Sequence, residues 1–375
     1  MNQSYEINVK QAGAKGDGIT DDTAVFQKMI DLAAETHGTV IVPSGRYLVG
    51  TLKLHAHVGL VGFPTYAWKG SNGSVLILAD ANAKCLLDLT LAIGARLDGL
   101  CLDGGNLGNG IHGILVAKPD YGITEDSPLI ERCKVSQFTG DGVRLDRIWC
   151  FRVRGNMFSE NRGHGLSVRG WDGFVLDNWL SKNGGAGYSS IGENNAVTMT
   201  GNRIEWNEQG GICVLNGSHY NITGNYIDRC GPGILFAAAE DYKPDMSRIV
   251  GRVGYSTITG NMIYRSGRPD WDRDRPFASA HLVLRGVQGV TVSANTLVVG
   301  RDDENNPGSL GYSERENWSP EVGVVLESLK NVVVRDNVMD SGATQQLILD
   351  LGNHNPGVVI EGNPGDLFPV PPSGE

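Results

Sequence analysis

Two acidic residues, Glu205 and Asp228, hold the same position in consecutive copies of a repeated phrase. The copies read GNRIEWN at 201–207 and GNYIDRC at 224–230. If consecutive copies form neighbouring coils, their backbones lie about 4.8 Å apart and the two carboxyl groups meet. Paired carboxylates suit cleavage of a glycosidic bond, because one protonates the leaving oxygen while the other attacks the sugar or activates water. The sequence therefore predicts Glu205 and Asp228 as a catalytic pair.

The next position of the phrase carries Trp206, Arg229 and Arg265. An indole offers a flat apolar platform for a sugar ring, and guanidinium groups bind hydroxyl or carboxylate oxygens. Three lengthened copies, at roughly 238–253, 268–278 and 301–317, add loops rich in charged and aromatic residues. The predicted substrate-binding residues are Trp206, Arg229, Arg265, Trp271, Asp272 and Glu240. Further candidate acids are Glu193 and, within the lengthened copies, Asp241, Asp270 and Asp274.

The repeated phrase also predicts the fold, because one Asn anchors every copy. The steps between these Asn residues are roughly 20 to 40 residues long, which is the period of a solenoid. Each copy alternates apolar and polar residues over several consecutive positions, as strands do, and none contains a long helical pattern. We therefore predict an all-β parallel β-helix whose Asn residues stack and hydrogen-bond along its axis. The ladder residues are Asn156, Asn178, Asn202, Asn225, Asn261, Asn295, Asn337 and Asn363.

The N-terminal segment 7–54 predicts a cap for the open end of this solenoid. Thr20 and Asp21 are candidate N-caps of a helix that ends near Gly38. One face of this helix carries four apolar residues: Phe26, Met29, Ile30 and Ala33. A helix here would cover exposed strand edges that otherwise invite association. The predicted division is a cap over 1–54, the β-helix over 55–363 and a C-terminal tail over 364–375.

Composition excludes several classes of partner. The net charge of −10 and pI near 5.3 disfavour binding to nucleic acid or to an anionic membrane. The six Cys residues show no CxxC spacing and are predicted to be buried thiols, with no metal site. No apolar run reaches the roughly 18 residues of a membrane span. The start, MNQSYEIN, lacks signal-peptide features, so we expect a cytoplasmic protein or a trimmed secreted one.

A family resemblance agrees with the repeats. GAKGDGITDDTAVFQKMID, followed by GTVIVPSGRYLVGTLKL, resembles the N-terminal signature of the pectate-lyase-like right-handed parallel β-helix superfamily. This superfamily includes polygalacturonases and phage tailspikes. LDGLCLDGG at 97–105 is similar to a phrase of the inulin fructotransferases. The resemblance implies a right-handed solenoid, a poly- or oligosaccharide partner and, by analogy with the fructotransferases, a homotrimer with sites between subunits.

The sequence is consistent with three functions. The main interpretation is a glycoside hydrolase that uses Glu205 and Asp228 and needs no cofactor. The first alternative is a polysaccharide lyase or fructotransferase that forms an unsaturated or anhydro product. As a lyase it would use Arg229 or Arg265 as the base, and the resemblance implies calcium. The second alternative is a tailspike-like glycan-binding protein without turnover.

Three other residues are interpreted as structural. Gly163-His164-Gly165 matches a polygalacturonase phrase, but only Asp141 precedes it, so His164 is interpreted as a turn residue. Asp98 and Asp103 stand beside Gly residues and are interpreted as turn formers.

Overall fold

A computed structural model describes residues 6–190, 192–238, 253–267, 279–299 and 320–368. The fold is the predicted right-handed parallel β-helix, in which a regular coil adds two strands to one sheet and one strand to a second sheet. Contacts divide the chain into two compact units, Met1–Gly185 and Ala186–Glu375, and each is described by itself. The division into 1–54, 55–363 and 364–375 stays a prediction.

Unit 1 contains two parallel sheets and one antiparallel hairpin. The first sheet contains Glu6–Asn8, Thr39–Ile41, Leu52–Lys53, Gly59–Val61, Cys85–Asp88, Arg96–Asp98, His112–Ala117, Leu129–Glu131, Val143–Trp149, Arg152–Arg154 and Leu166–Leu176. The second contains Asp17–Asp21, Gly45–Val49, Gly70–Leu78, Cys101–Asp103, Lys134–Ser136, Met157–Ser159 and Trp179–Ser181. The hairpin pairs Pro64–Ala67 with the start of Gly70–Leu78.

Unit 2 continues the same pattern in its own coils. Its first sheet contains Ala186–Ser190, Asn194–Thr200, Gly210–Leu215, Gly217–Ser218, Asn221–Thr223, Ile234–Ala237, Gly254–Thr259, Ala280–Arg285, Gln288–Ser293, Val322–Glu327, Val333–Arg335, Gln346–Asp350 and Val359–Glu361. Its second sheet contains Arg203–Glu205, Tyr226–Asp228, Met262–Tyr264 and Thr296–Val298.

The helix Thr23–Thr36 confirms the predicted N-terminal helix. Its buried residues are the four predicted from the apolar face: Phe26, Met29, Ile30 and Ala33. The helix ends at His37, whose left-handed backbone (φ 50°) takes the place expected near Gly38. No helix in the described residues is long and apolar enough to cross a membrane.

The predicted N-caps of this helix were wrong, because Thr20 and Asp21 still belong to the strand Asp17–Asp21. The N-cap position is held by Asp22, whose side chain makes no capping hydrogen bond. The Asp22 carboxylate instead accepts the backbone N–H groups of Lys15 and Gly16 at 2.7 and 2.9 Å. The side chain therefore ties the preceding loop to the start of the helix.

The Asn ladder is present as predicted. In unit 2 each amide nitrogen of the ladder donates to the carboxamide oxygen of the next Asn at 2.8–3.0 Å, as in the pair Asn261–Asn295. The same oxygen accepts a backbone N–H from the preceding coil, as between Asn225 and Asn261. Unit 1 has the corresponding pair Asn156–Asn178 and a second, parallel pair, Asn161–Asn183. Buried amides are thus satisfied along the coils.

The cysteines are free thiols, and their predicted burial is confirmed except at Cys150. Five of the six Cys side chains are buried, and Cys150 is partly exposed. Burial raises the pKa of the Cys85, Cys133 and Cys213 thiols to about 12. These cysteines act as small apolar residues of the coils rather than as nucleophiles.

His281 makes the stability of unit 2 sensitive to acid. It is fully buried, and neither ring nitrogen has a hydrogen-bond partner within the described ranges. Burial lowers its pKa from 6.5 to about 3. The unfolded chain therefore binds a proton between these two pH values that the folded chain does not, so stability is lost as the pH falls through this range.

We expect His281→Leu to remove this dependence. Lowering the pH from 7 to 5 should cost the wild type about 2 kcal/mol more unfolding free energy than the variant. Urea unfolding of both proteins at the two pH values measures the difference. Equal losses in the two proteins would show that His281 is not the titrating group.

Candidate functional site

The two predicted acids are direct neighbours on the second sheet of unit 2. Glu205 and Asp228 are register partners on parallel strands, and Asp228 is in turn the partner of Tyr264. The sequence alignment on the Asn ladder therefore predicted this column correctly. The catalytic role of the pair stays a prediction.

Both carboxylates are buried and bound by arginines. Glu205 and Asp228 have side chains only 2% and 4% exposed. Arg203 lies 2.6 Å from Glu205 Oε1. Asp228 accepts hydrogen bonds from Arg229 at 2.7 Å and from two nitrogens of Arg265 at 3.1 and 3.0 Å. The acids thus fix the positions of three guanidinium groups, while little of either carboxylate is open to a substrate.

The predicted sugar platform and clamps lie at the corner that follows these strands. Trp206, Arg229 and Arg265 adopt left-handed backbones with φ of 52°, 49° and 46°. The guanidinium carbon of Arg229 lies 5.5 Å from the centroid of the Trp206 ring. The repeated left-handed turn therefore brings the three residues to one edge of the sheet, as the sequence predicted.

Two tyrosines, neither assigned a role from the sequence, complete this face. The Arg265 guanidinium lies 4.1 Å from the centroid of the Tyr264 ring, and that of Arg203 lies 4.8 Å from the Tyr226 ring. These are cation–π distances. We call the acids, arginines and rings of this corner the arginine–tyrosine face: Arg203, Glu205, Trp206, Tyr226, Asp228, Arg229, Tyr264 and Arg265.

Burial shifts two pKa values on the arginine–tyrosine face. It raises the pKa of Asp228, against the opposing effect of Arg265 and Arg229. It also raises the pKa of Tyr226, and the nearby Asp228 charge adds to the rise. Tyr226 is therefore a protonated phenol at neutral pH and is able to donate a proton.

Other predicted site residues lie elsewhere. Glu193 is exposed. Trp271, Asp272 and Glu240, together with Asp241, Asp270 and Asp274, lie outside the described residues. The described residues contain no group of three or more His, Cys, Asp or Glu that could hold a metal ion. The two buried acids of the face are already engaged by guanidinium groups, so its donor set does not fit calcium.

A second titratable cluster, in unit 1, was missed from the sequence. His112, Asp141 and His164 occupy the same position on successive coils, since Ile114 pairs with Val143 and Val143 with Leu166. The Asp141 backbone N–H donates to His112 Nδ1 at 2.9 Å. Asp141 accepts the His164 backbone N–H at 2.8 Å.

The Asp141 carboxylate has further partners on the next positions of these strands. It accepts the Ser167 hydroxyl at 2.7 Å and lies 3.4 Å from Arg144. Burial lowers the pKa of both His112 and His164, against the opposing Asp141 charge. His164, interpreted from the sequence as a turn residue, is thus part of a polar cluster. Aligning the Gly-x-Gly phrases, GDGVRL and GHGLSV, would have paired Asp141 with His164.

Comparisons with known proteins support the fold and a carbohydrate-related chemistry. A family described as rhamnogalacturonase A/epimerase, pectate lyase-like, matches residues 6–80, and a right-handed β-helix region matches residues 148–248. Mannuronan C5-epimerase AlgE1 of Azotobacter vinelandii is 26% identical over 262 residues, which are 62% of this chain and 18% of AlgE1. The chain spans only about a fifth of the length of this curated relative.

Solved structures with the same fold cover nearly the whole chain. DFA-IIIase of Arthrobacter chlorophenolicus A6, solved without its lid, superposes with a TM-score of 0.63 at 14% identity, covering 98% of this chain and 100% of that one. The A-module of the Azotobacter vinelandii mannuronan C-5 epimerase AlgE4 gives 0.59 at 17% identity, covering 98% of both chains. At these identities the likeness shows the fold alone. With the two family matches, it confirms that the chain resembles the pectate-lyase-like right-handed parallel β-helix superfamily.

Proposed function

We propose that this chain is an enzyme that acts on an acidic polysaccharide by removing the proton beside a uronic acid carboxylate, as an epimerase or a lyase. The observation that carries the proposal is the arginine–tyrosine face, where buried acids hold guanidinium groups beside two phenols. The similarity to AlgE1, which is named a mannuronan C5-epimerase, supports the same substrate class.

The first step is recognition of the sugar carboxylate. The Arg203 side chain is 54% exposed, and those of Arg229 and Arg265 reach the surface at 10% and 12%. A guanidinium group binds a carboxylate through two parallel hydrogen bonds. Charge neutralisation makes the neighbouring C–H more acidic, because the carbanion formed there delocalises into the carboxylate. Glu205 and Asp228 act in this scheme as positioning residues.

The second step is proton transfer. The C–H bond breaks, its proton passes to a base, and the electron pair moves toward the sugar carboxylate. We assign Tyr264, which lies in the column beside Asp228, as the base that accepts that proton. Tyr226 then donates a proton to the opposite face of the carbon, which inverts it, or to the leaving oxygen of the broken glycosidic bond. The first outcome is epimerisation and the second is elimination.

Incubation with mannuronan in D₂O tests this proposal. We expect deuterium at the carbon that bears the carboxylate, detected by NMR, or an unsaturated product that absorbs near the ultraviolet edge. Neutral mannan serves as the control and should remain unchanged. A product heavier by one water per cut, without deuterium at that carbon, would contradict the proposal.

One observation favours glycoside hydrolysis as a second candidate. The raised pKa of Asp228, beside Glu205, is what a general acid requires. Under this mechanism Asp228 donates its proton to the leaving oxygen after Arg229 and Arg265 release it. The same mass measurement separates the two candidates, since only hydrolysis adds water.

A further inference from the structure

A groove on the first sheet of unit 1 lies outside the site described above. Its volume is about 270 Å³, and it is lined by Glu131, Arg152, Arg154, Phe174 and Leu176. These residues belong to three neighbouring strands, with Arg152 paired to Phe174 and Arg154 paired to both Glu131 and Leu176. The residues between them, Ile130, Val153 and Val175, are fully buried. The lining side chains therefore point outward from the coil.

The groove combines an exposed aromatic ring with two guanidinium groups. Phe174 is 44% exposed, although a ring of this size is usually buried. The guanidinium carbon of Arg152 lies 6.0 Å from the centroid of that ring. Arg154 has a side chain 62% exposed and lies 3.5 Å from Asp177, a solvent-screened pair that contributes little. Both arginines are therefore available to a ligand.

On the neighbouring coil an acidic residue, Asp98, is buried and paired, so it adds no free negative charge to this surface. Asp98 is fully buried and accepts two hydrogen bonds from Arg132 at 2.7 and 2.6 Å and one from Arg96 at 2.5 Å. The Asp98 carboxylate is thus neutralised by two arginines. Among the lining residues of the groove two guanidinium groups, Arg152 and Arg154, stand against one carboxylate, Glu131, in a chain whose net charge is −10. The local charge favours an anionic ligand.

We propose that this groove is a second saccharide-binding site, which takes one uronic acid unit of an acidic polysaccharide. The apolar face of the sugar ring stacks on Phe174, the carboxylate binds Arg152 and Arg154, and Glu131 accepts a hydroxyl hydrogen bond. The choice of substrate class rests on the proposed function. The groove would anchor the polymer without taking part in the chemistry.

The dimensions of the groove agree with a single sugar unit. Outward side chains two positions apart on a strand, such as Arg152 and Arg154, are separated by about 6.6 Å, and neighbouring strands by about 4.8 Å. A pyranose ring spans a similar distance. Binding pockets for drug-sized ligands, which are larger than one sugar, start at about 300 Å³. The groove therefore holds one ring, and the rest of a polymer would leave it at both ends.

Fluorine NMR at the groove itself tests the proposal. Phe174 is replaced by 4-fluorophenylalanine in the full chain, and the ¹⁹F signal is followed during titration with tetramannuronate. We expect a saturable shift with tetramannuronate and none with neutral mannotetraose. Arg152→Gln and Arg154→Gln should each weaken binding by about tenfold, because each removes a charge-assisted hydrogen bond. The matched control is Arg335→Gln, which removes an exposed arginine at the same end of an equivalent strand, paired with Asp336 at 3.0 Å.

Several outcomes would overturn the proposal. They are an unchanged ¹⁹F signal with tetramannuronate, equal shifts with mannotetraose, or arginine variants that bind like Arg335→Gln. An equal shift with inorganic phosphate would show a plain anion site without saccharide recognition. This readout is independent of turnover. Binding at the groove without turnover on any uronan would reject the proposed function and retain the groove proposal. Turnover on a uronan without a ¹⁹F shift would retain the proposed function and reject the groove proposal.

Discussion

Arg265→Gln is expected to lower kcat/KM on a uronan by a factor of about 10²–10³, the size of effect seen when one preorganised donor to a developing anion is removed. Arg265 makes two hydrogen bonds to the buried Asp228 and lies over the Tyr264 ring. Its loss removes a charge that stabilises the carbanion and also loosens the proposed base. Initial rates on mannuronan, measured by deuterium incorporation or ultraviolet absorbance, give the ratio.

Arg335→Gln provides the control here too, and its rate should stay within about twofold of the wild type, because its ion pair with Asp336 is exposed. Asp228→Asn distinguishes the two candidate mechanisms. If Asp228 only positions the arginines, the neutral amide keeps part of the hydrogen bonding and part of the activity. If Asp228 is the general acid of a hydrolase, its loss abolishes turnover while Arg265→Gln shifts the pH profile. An Arg265→Gln enzyme with wild-type rates would reject the proposed role of the arginine–tyrosine face.

The regular spacing of the Asn residues explains why the fold and the neighbours within the site were predictable. Once Asn202 and Asn225 are stacked, Glu205 and Asp228 must face each other, because parallel strands in register leave no other choice. The buried face of the N-terminal helix follows in the same way from its apolar spacing. Both are consequences of backbone periodicity, which a sequence shows directly.

The side-chain conformations and contacts of the site residues were not predictable from that periodicity. The alignment places Arg265 after Tyr264, but whether its guanidinium turns to solvent or back to Asp228 depends on rotamers and burial. The long step from His112 to Asp141, 29 residues with an extra loop between them, hides a neighbour relation that the structure makes plain. The Asp22 carboxylate likewise accepts two backbone N–H groups of the loop before the helix and makes no capping hydrogen bond. Each of these depends on a side-chain contact for which the repeat provides no signal.

Asn261→Ala is expected to cost about 3–5 kcal/mol of unfolding free energy in unit 2, because a typical lost hydrogen bond costs about 1 kcal/mol and a stranded buried group up to about 3 kcal/mol. The Asn261 amide donates to Ile222 O at 3.0 Å and to the Asn295 side chain at 2.9 Å. Its oxygen accepts both the backbone N–H and the side-chain amide of Asn225 at 3.0 Å. Alanine leaves all these groups buried without water to replace their partner.

Asn363→Ala is the matched control, because Asn363 accepts from the preceding Asn as Asn261 does but ends the ladder. It accepts from Asn337 at 3.1 and 2.9 Å and donates to Val334 O at 3.0 Å, but it is partly exposed. Water can replace it there, so its loss should cost only about 1 kcal/mol. Urea unfolding of both variants and the wild type measures the two costs. If Asn261→Ala loses no more unfolding free energy than Asn363→Ala, the ladder follows from the packing of the coils rather than stabilising them. A difference of about 2 kcal/mol or more would instead show that burial makes these hydrogen bonds decisive for the fold, because only a buried group stays unpaired when its partner is removed.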